Sequence, residues 1–400
     1  MSSNFLRDLL TYGFGNTSAK NKKRKIRPFS GRTLSQEIAA QLNPDFSEKN
    51  QRAPVKKTKK PEAVPEVFDV RGVPKKLGEP IAKPGGEGTV YFLLGKPEIL
   101  VKIYHPKKLA EHRQAYQEKI EAMIKIKDNF QKFPACWPLL SVYDREKNWI
   151  GYAMRRGIGA PMRYLAHAVA YRKHFPYLDR IMLLRYMIRF VQNIMILHEK
   201  GIFIGDYNML NFLCDPLNDN VAMIDCDSYQ LRIDDKFYPC PVGSPDLTPV
   251  EHHDKDFRNV VHTEKSENFS LAIILFECLM LGRHPYDVVG GDDPVTNLRT
   301  ANFPYKKGNK GVPKGPWRNI WTHMPPRIKR LFNKTFTEGV LDPDKRVPAE
   351  TWLRELSVYL ADMQVGKYDK NINPMKKLVK MDKKPKINPV EAEEPENYID

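Results

Sequence analysis

The chain has 400 residues, 32 prolines, 28% charged side chains and a formal charge of +17, a composition that suits one large domain with unstructured ends better than two or three average domains. Its five cysteines, at 136, 214, 226, 240 and 278, form no Cys-x-x-Cys pair, which argues against a zinc or disulfide framework and fits reduced thiols in a cytosol. Asn4 to Leu10 is interrupted by Arg7 and Asp8, so no secretory leader is expected, and no window reaches the ~18 uncharged apolar residues of a membrane span.

Residues 1–65 carry 14 Lys/Arg against 5 Asp/Glu. The run Lys20-Asn21-Lys22-Lys23-Arg24-Lys25 and the doublets Lys56-Lys57 and Lys59-Lys60 hold most of that charge. Two readings stay open: a solvated, disordered basic tail, or a contact through residues 20–60 with nucleic acid or an acidic partner. A short helix is expected at 34–42. The domain itself is expected over 66–363, and a second charged, disordered tail over 364–400.

From Gly78 the texture changes. Residues 90–94 and 99–104 are apolar, β-prone runs on either side of Gly95-Lys96-Pro97 and predict a hairpin. Leu109, Ala115, Ile120, Met123 and Ile124 share one helical face across 108–127. Strands are expected at 139–143 and 149–154, around the turn Asp144-Arg145-Glu146-Lys147. A long amphipathic helix over 178–199 stops at Gly201. Short strands follow at 202–204, 211–214 and 221–224, then an apolar helix at 269–281 and helices at 327–335 and 349–363. The class is therefore α+β. A small β-rich N-lobe at about 75–154 precedes a larger helical C-lobe at about 158–363, with a cleft between them.

Four features along this order carry chemistry. Pro84-Gly85-Gly86-Glu87-Gly88-Thr89-Val90 places glycines where backbone N–H groups can approach phosphate oxygens. Lys102 sits on the following strand, between apolar neighbours. Asp206 and Asn211 lie in Gly205-Asp206-Tyr207-Asn208-Met209-Leu210-Asn211 after a long helix. Asp225 ends the apolar run at 221–224. Each has an ordinary explanation alone: a turn, a snorkelling lysine, a turn-forming Asp or Asn. Together, and in this order, they form the set that holds a triphosphate, Mg²⁺ and a hydroxyl nucleophile.

This set resembles the protein-kinase superfamily from about Gly78 to Met363. By that resemblance Gly85, Gly86, Gly88 and Val90 would cover the phosphates of ATP, and Lys102 would hold its α- and β-phosphates. Asp206 would be the catalytic base, Asn208 would donate near the γ-phosphate, and Asn211 and Asp225 would bind Mg²⁺. The hinge at Met154, Arg155 and Gly157 would take the adenine through its backbone. Glu118 is chosen as the partner of Lys102, although the apolar pattern of its helix puts Lys119 at the usual place. Gly243 to Glu251 looks like the segment that closes an activation loop, with Glu251 pairing Arg346. Ser228, Ser244 and Thr248 are the self-phosphorylation sites expected there.

More narrowly, GDYNMLN, MIDCDSYQ, YPCPVGSPDLTPVE and LMLGRHPY are similar to a divergent bacterial serine/threonine protein kinase-like family. Its members tend to be associated with PP2C phosphatases and TerY-like von Willebrand factor A proteins, which are thereby implied as partners. Gly205 stands where an arginine is usual, Asn208 for a lysine, Cys226-Asp227 for Phe-Gly, and Glu267 for an aspartate. Asp227 is either a further carboxylate near the metals or a structural acceptor. The expectation is a cytoplasmic, ATP- and Mg-dependent kinase acting on Ser/Thr of a protein substrate. The alternatives are a nucleotide-binding pseudokinase scaffold, or a nucleic-acid-associated protein acting through its basic arm.

Overall fold

The structure, a computed structural model, describes residues 66–306 and 311–374. The basic arm, its expected helix at 34–42 and most of the second charged tail lie outside the described residues.

The first part is built of strands. β1 (Glu66–Phe68), β2 (Pro74–Pro80), β3 (Gly88–Leu93), β4 (Lys96–Tyr104), β5 (Pro138–Tyr143) and β6 (Trp149–Arg155) close a barrel in the order β1-β2-β3-β4-β6-β5. The predicted hairpin is β3–β4, with Val90 opposite Lys102. β1 and β2 escape sequence reading because they are short or polar: β2 reads PKKLGEP and buries only Leu77. Closure between β1 and β5 rests on one pairing, Phe68 with Tyr143.

Alternation along β4 sorts its side chains. Val101 joins Val67, Leu77, Val142 and Ala153 in a small core inside the barrel. Leu100 and Tyr104 face the other way, into the main core. Lys102 shares their face, so pleat geometry aims it away from the barrel interior. α1 (Pro106–Lys125) follows immediately, with Pro106 at its first position, where a missing N–H is harmless.

The rest is mostly helical: α2 (Tyr171–His174), α3 (Arg180–Glu199), α4 (Glu264–Leu279), α5 (Pro294–Arg299), α6 (Pro316–His323), α7 (Pro326–Thr337) and α8 (Ala349–Gln364). The Asp179 side chain caps α3 by accepting from Met182 N at 2.8 Å. α3 is long and apolar enough to cross a membrane, but Leu183, Leu184, Met187, Phe190, Val191 and Ile194 are buried in the core. α4 starts with a Thr263–Ser266 capping box, and all its residues from Ser266 to Leu279 are buried.

Between α3 and α4 lie the short strands β8 (Phe212–Cys214) and β9 (Val221–Met223), which pair with each other and, through β8, with β7 (Ala160–Pro161). β10 (Leu231–Ile233) and β11 (Lys236–Tyr238) form a separate hairpin. The strand expected at 202–204 is reduced to a bridge between Phe203 and Gln230. All five cysteines are unpaired and buried.

Candidate active site

Lys102 is the centre of the site. Its side chain is buried, and Nζ donates to Asp225 Oδ1 at 2.8 Å and Asp227 Oδ2 at 2.6 Å. Glu87, from the glycine turn, stands 3.6 Å away. Burial works against a charged lysine, but the carboxylates of Asp227 and Asp225 outweigh it and hold the ammonium well above its usual range. Burial alone would raise the pKa of Asp227; the adjacent Lys102 and the Tyr104 hydroxyl reverse this and bring it down to about 2. Tyr104 OH donates to Asp227 Oδ2 at 2.5 Å. For Glu87 burial prevails, helped by the neighbouring Asp227 and Asp225, and its pKa rises despite Lys102.

Asp225 reaches this position because its backbone is left-handed, at φ +59° and ψ +36°, ahead of the 3-10 turn Cys226–Ser228. Such a conformation is rare for a non-glycine residue and is tolerated where the surroundings fix it. Here Ser228 Oγ donates to Asp225 O at 2.9 Å and Cys226 is buried as an anchor.

Asp206 lies in a loop hung from the first turn of α4. Glu267 Oε1 accepts from Gly205 N at 2.7 Å, and Glu267 Oε2 accepts from Tyr207 OH at 2.9 Å and lies 2.7 Å from His198 Nε2. The extra methylene of glutamate thus spans α3, α4 and the loop at once. Asn208 caps the following 3-10 turn, its Oδ1 accepting from Leu210 N at 3.0 Å. Its carbonyl oxygen is therefore a turn former, and only its amide nitrogen is left to act on a ligand. Asn211 N donates to Asn208 O at 2.8 Å, and Ile224 N donates to Asn211 O at 2.9 Å. Those two bonds place Asn211 beside the strand that delivers Asp225.

The glycine turn sits over the end of β4. Gly85 N donates to Gly88 O at 2.9 Å, and His105 Nε2 lies 2.8 Å from Gly85 O. A Cβ at Gly88 would fall 2.3 Å from Ile103 O, while one at Gly86 would meet nothing within 4 Å. Gly88 is thus required by the sheet, and Gly86 faces open space. Met154 ends the buried part of β6. The exposed Arg155 side chain turns to Gln131 O at 2.5 Å, away from Lys102. Gly157 packs against Cys136, Leu213 and Ile224, where a Cβ would be within 3.1 Å of each.

α1 corrects one expectation. Glu118 is not at Lys102; it pairs with Lys236 of β11. The inward position belongs to Lys119, whose Nζ donates to Pro239 O at 3.1 Å. Burial lowers that ammonium to about 8, against the pull of Cys240, Asp227 and Glu87. The helical period puts residue 119, not 118, on the buried face with Ile120 and Met123. Downstream, Glu251 and Arg346 form the expected pair, at 2.6 and 2.7 Å. Thr248 is buried and donates to Ser244 O, so its hydroxyl is covered in this conformation.

Sequence reading gave no role to Tyr104, His198 or Tyr207. Each meets its partner across sixty residues or more, so spacing offered no signal. A polar residue within an apolar stretch, such as His198 near the end of α3, is the one hint available.

The residues suit ATP and Mg²⁺. Gly86 leaves room above β4, Lys102 is a fixed cation, and the Asp225 side chain is 44% exposed beside it. No group of three or more His, Cys, Asp or Glu among the described residues forms a metal cage. One carboxylate and one amide suit Mg²⁺, which keeps waters and takes phosphate oxygens.

No family model matches the chain. It is 29% identical over 301 residues to protein kinase YegI of Escherichia coli strain K12, covering 72% of this chain and 45% of that protein. It is 28% identical over 285 residues to protein kinase YegI of Escherichia coli O157:H7, covering 68% and 43%. The chain spans less than half the length of these curated relatives. The similarity supports a protein-kinase-like family for this chain.

Proposed function

We propose that this chain is an ATP- and Mg²⁺-dependent protein kinase that transfers the γ-phosphate to Ser/Thr hydroxyls. In this reading residues 66–155 form the small lobe and the helical part the large lobe of a bilobal kinase fold. The observation that carries it is the convergence of Lys102 and Asp225, 123 positions apart in sequence, at 2.8 Å beside the glycine turn.

Each residue has a stated task. Gly86 offers its backbone N–H to phosphate oxygens, Gly85 and Gly88 close the turn through the bond from Gly85 N to Gly88 O, and Lys102 binds the same oxygens as a fixed ammonium. Asp206 accepts the proton of the substrate hydroxyl, a contribution of about 10²–10⁴ in rate. Asn211 and Asp225 would hold Mg²⁺, which when bound neutralises charge on the β- and γ-phosphates. Met154 to Gly157 supply backbone groups to the adenine.

The test is incubation with Mg²⁺ and γ-labelled ATP, with and without a generic acceptor. Label on Ser or Thr is expected, and its loss in Asp206→Ala and Asp225→Ala proteins that remain folded. Nucleotide binding with no transfer to any of a panel of cellular proteins would overturn this reading. The second reading, a nucleotide-binding pseudokinase scaffold, is favoured by Asn208: its Oδ1 is committed to Leu210 N, and it brings no positive charge to the transferring group. The same assay separates the two. A PP2C phosphatase, a von Willebrand factor A-type protein and, through residues 20–60, a nucleic acid or acidic protein are proposed partners on sequence grounds alone. Action in the cytoplasm belongs to the same proposal.

A further inference from the structure

We propose that Asp227 is the positioning residue of Lys102, taking the place of a glutamate from α1, so that the ammonium is held from the 225–227 turn and not from the helix. The inference rests on reading Lys102 as the phosphate-binding lysine.

Three carboxylates surround Lys102, and their exposures separate their roles. Asp227 is nearest, at 2.6 Å, with a side chain 4% exposed. Asp225 is at 2.8 Å but 44% exposed, and Glu87 is at 3.6 Å and 34% exposed. A buried ion pair without competing water is the durable one, since parting it leaves a charge in a low-dielectric interior. An exposed carboxylate can turn to a metal at little cost. Asp225 is therefore the ligand for the ion, and Asp227 the counterion of the lysine.

The surroundings of Asp227 are those of a fixed group. Tyr104 lies two residues beyond Lys102, on the same face of β4, and donates to the same oxygen, Oδ2. Its ring stacks on Tyr116 of α1 with centroids 4.7 Å apart. Lysine and tyrosine thus grip one carboxylate oxygen from one rigid strand. The helix supplies no rival. Glu118 is turned to Lys236, and the inward position carries Lys119, a second cation. Asp227 attracts both Lys102 and Lys119. A carboxylate at this point is needed to keep two buried ammonium groups in one neighbourhood.

The consequence concerns control. Where a helix glutamate holds the lysine, a shift of the helix releases it. Here α1 can move without parting Lys102 from Asp227, and control of Lys102 belongs to the 225–240 segment.

The test begins on nucleotide-free protein. Acylation of Lys102 by acetic anhydride, read by mass spectrometry, reports how readily Nζ leaves its buried ion pair. Asp227→Asn, which removes the buried counterion that holds Nζ, is expected to speed it by about tenfold. The same variant should raise the KM for Mg-ATP by about 10- to 100-fold and change kcat less. Adding Lys119→Glu to Asp227→Asn returns a carboxylate from the helix side and should recover at least about tenfold in KM, whereas Lys119→Glu alone, which crowds two carboxylates, should weaken binding. Should Asp227→Asn fail to fold, Tyr104→Phe keeps the charge and removes one bond to it. It is expected to shift both readouts a few-fold in the same direction. A folded Asp227→Asn, or failing that Tyr104→Phe, with wild-type Lys102 reactivity and wild-type KM overturns the proposal. Wild-type protein that binds no Mg-ATP overturns the kinase reading instead; accelerated acylation in Asp227→Asn would then still support the Asp227–Lys102 link.

Discussion

Gly205 packs directly on Cys240: a Cβ at Gly205 would stand 2.6 Å from Cys240 Sγ and 3.0 Å from His262 Nε2, on a backbone at φ +70°. Both facts call for glycine. The place before Asp206, where an arginine is usual, is closed by the buried chain around residue 240. Gly205 N is simultaneously fixed by Glu267. The loop therefore takes its shape from packing and from Glu267, and an arginine clamp has no space to stand in.

Gly205→Arg is therefore expected to harm the protein and not to restore a clamp. The left-handed backbone alone costs about 1–3 kcal/mol for a side chain, and the clash with Cys240 adds to it. Denaturant melts should show the loss. Gly205→Arg with Cys240→Ala should recover little, because alanine keeps the Cβ of residue 240 that would lie 2.7 Å from one at 205. Full recovery in that double variant would show that backbone conformation is unimportant here.

Glu267→Asp tests the suspension of the Asp206 loop. A carboxylate one methylene shorter cannot keep Gly205 N, Tyr207 OH and His198 Nε2 together. Displacement of Asp206 by about 1 Å should cost on the order of 10²-fold in kcat. The KM for ATP should move little, because Lys102 and the glycine turn do not touch this network. Steady-state kinetics at saturating acceptor would read the split.

Much of the architecture was legible because it follows period. The β3–β4 hairpin, α1, α3, α4, α7 and α8 stood out by apolar spacing, with ends shifted by a few residues, and by up to five at the start of α4. β1, β2, α5 and α6 did not, since a three-residue strand, a lysine-rich edge strand and short proline-led helices carry little period. Lys102, Asp206, Asn211 and Asp225 could be singled out by order and local context. Apart from Glu251–Arg346, what escaped was long-range pairing. Glu118 and Lys119 are adjacent letters, and a rotation of 100° decides which one faces the core. Nothing in the linear order says that Asp227 would meet Tyr104, or that Glu267 would gather donors from two other elements.

Lys119 predicts a pH effect. Burial brings its ammonium to about 8, below the usual 10.5. Below pH 8 both folded and unfolded chains hold the proton, and the burial penalty is constant. Between pH 8 and about 10.5 the folded state has lost the proton that the unfolded state keeps, so stability from this group rises with pH, by up to about 3 kcal/mol. Lys119→Met removes that rise. Its stability relative to wild type should therefore fall as pH goes from 8 to 10 in chemical denaturation. A constant difference across that range would contradict a depressed Lys119.

Arg346 offers a test of the helical part without involving nucleotide. Its Nη1 and Nη2 donate to the two oxygens of Glu251 at 2.6 and 2.7 Å, and Nε donates to Gly339 O at 2.7 Å. Nη1 also reaches Lys265 O at 3.1 Å, at the start of α4. The guanidinium is inaccessible, whereas Glu251 is one-third exposed. Loss of the arginine should therefore cost more than loss of the carboxylate, because it also takes a donor from the buried carbonyls of Gly339 and Val340. Arg346→Ala is expected to destabilise by about 3–5 kcal/mol. Arg346→Lys should recover little, since an ammonium cannot donate along the fork that joins Glu251 to Gly339. Glu251→Gln keeps one acceptor and should cost about 1–3 kcal/mol. Equal losses for Arg346→Ala and Glu251→Gln in equilibrium unfolding would show that the ion pair alone, and not the carbonyl contacts, ties the 243–251 segment to α4.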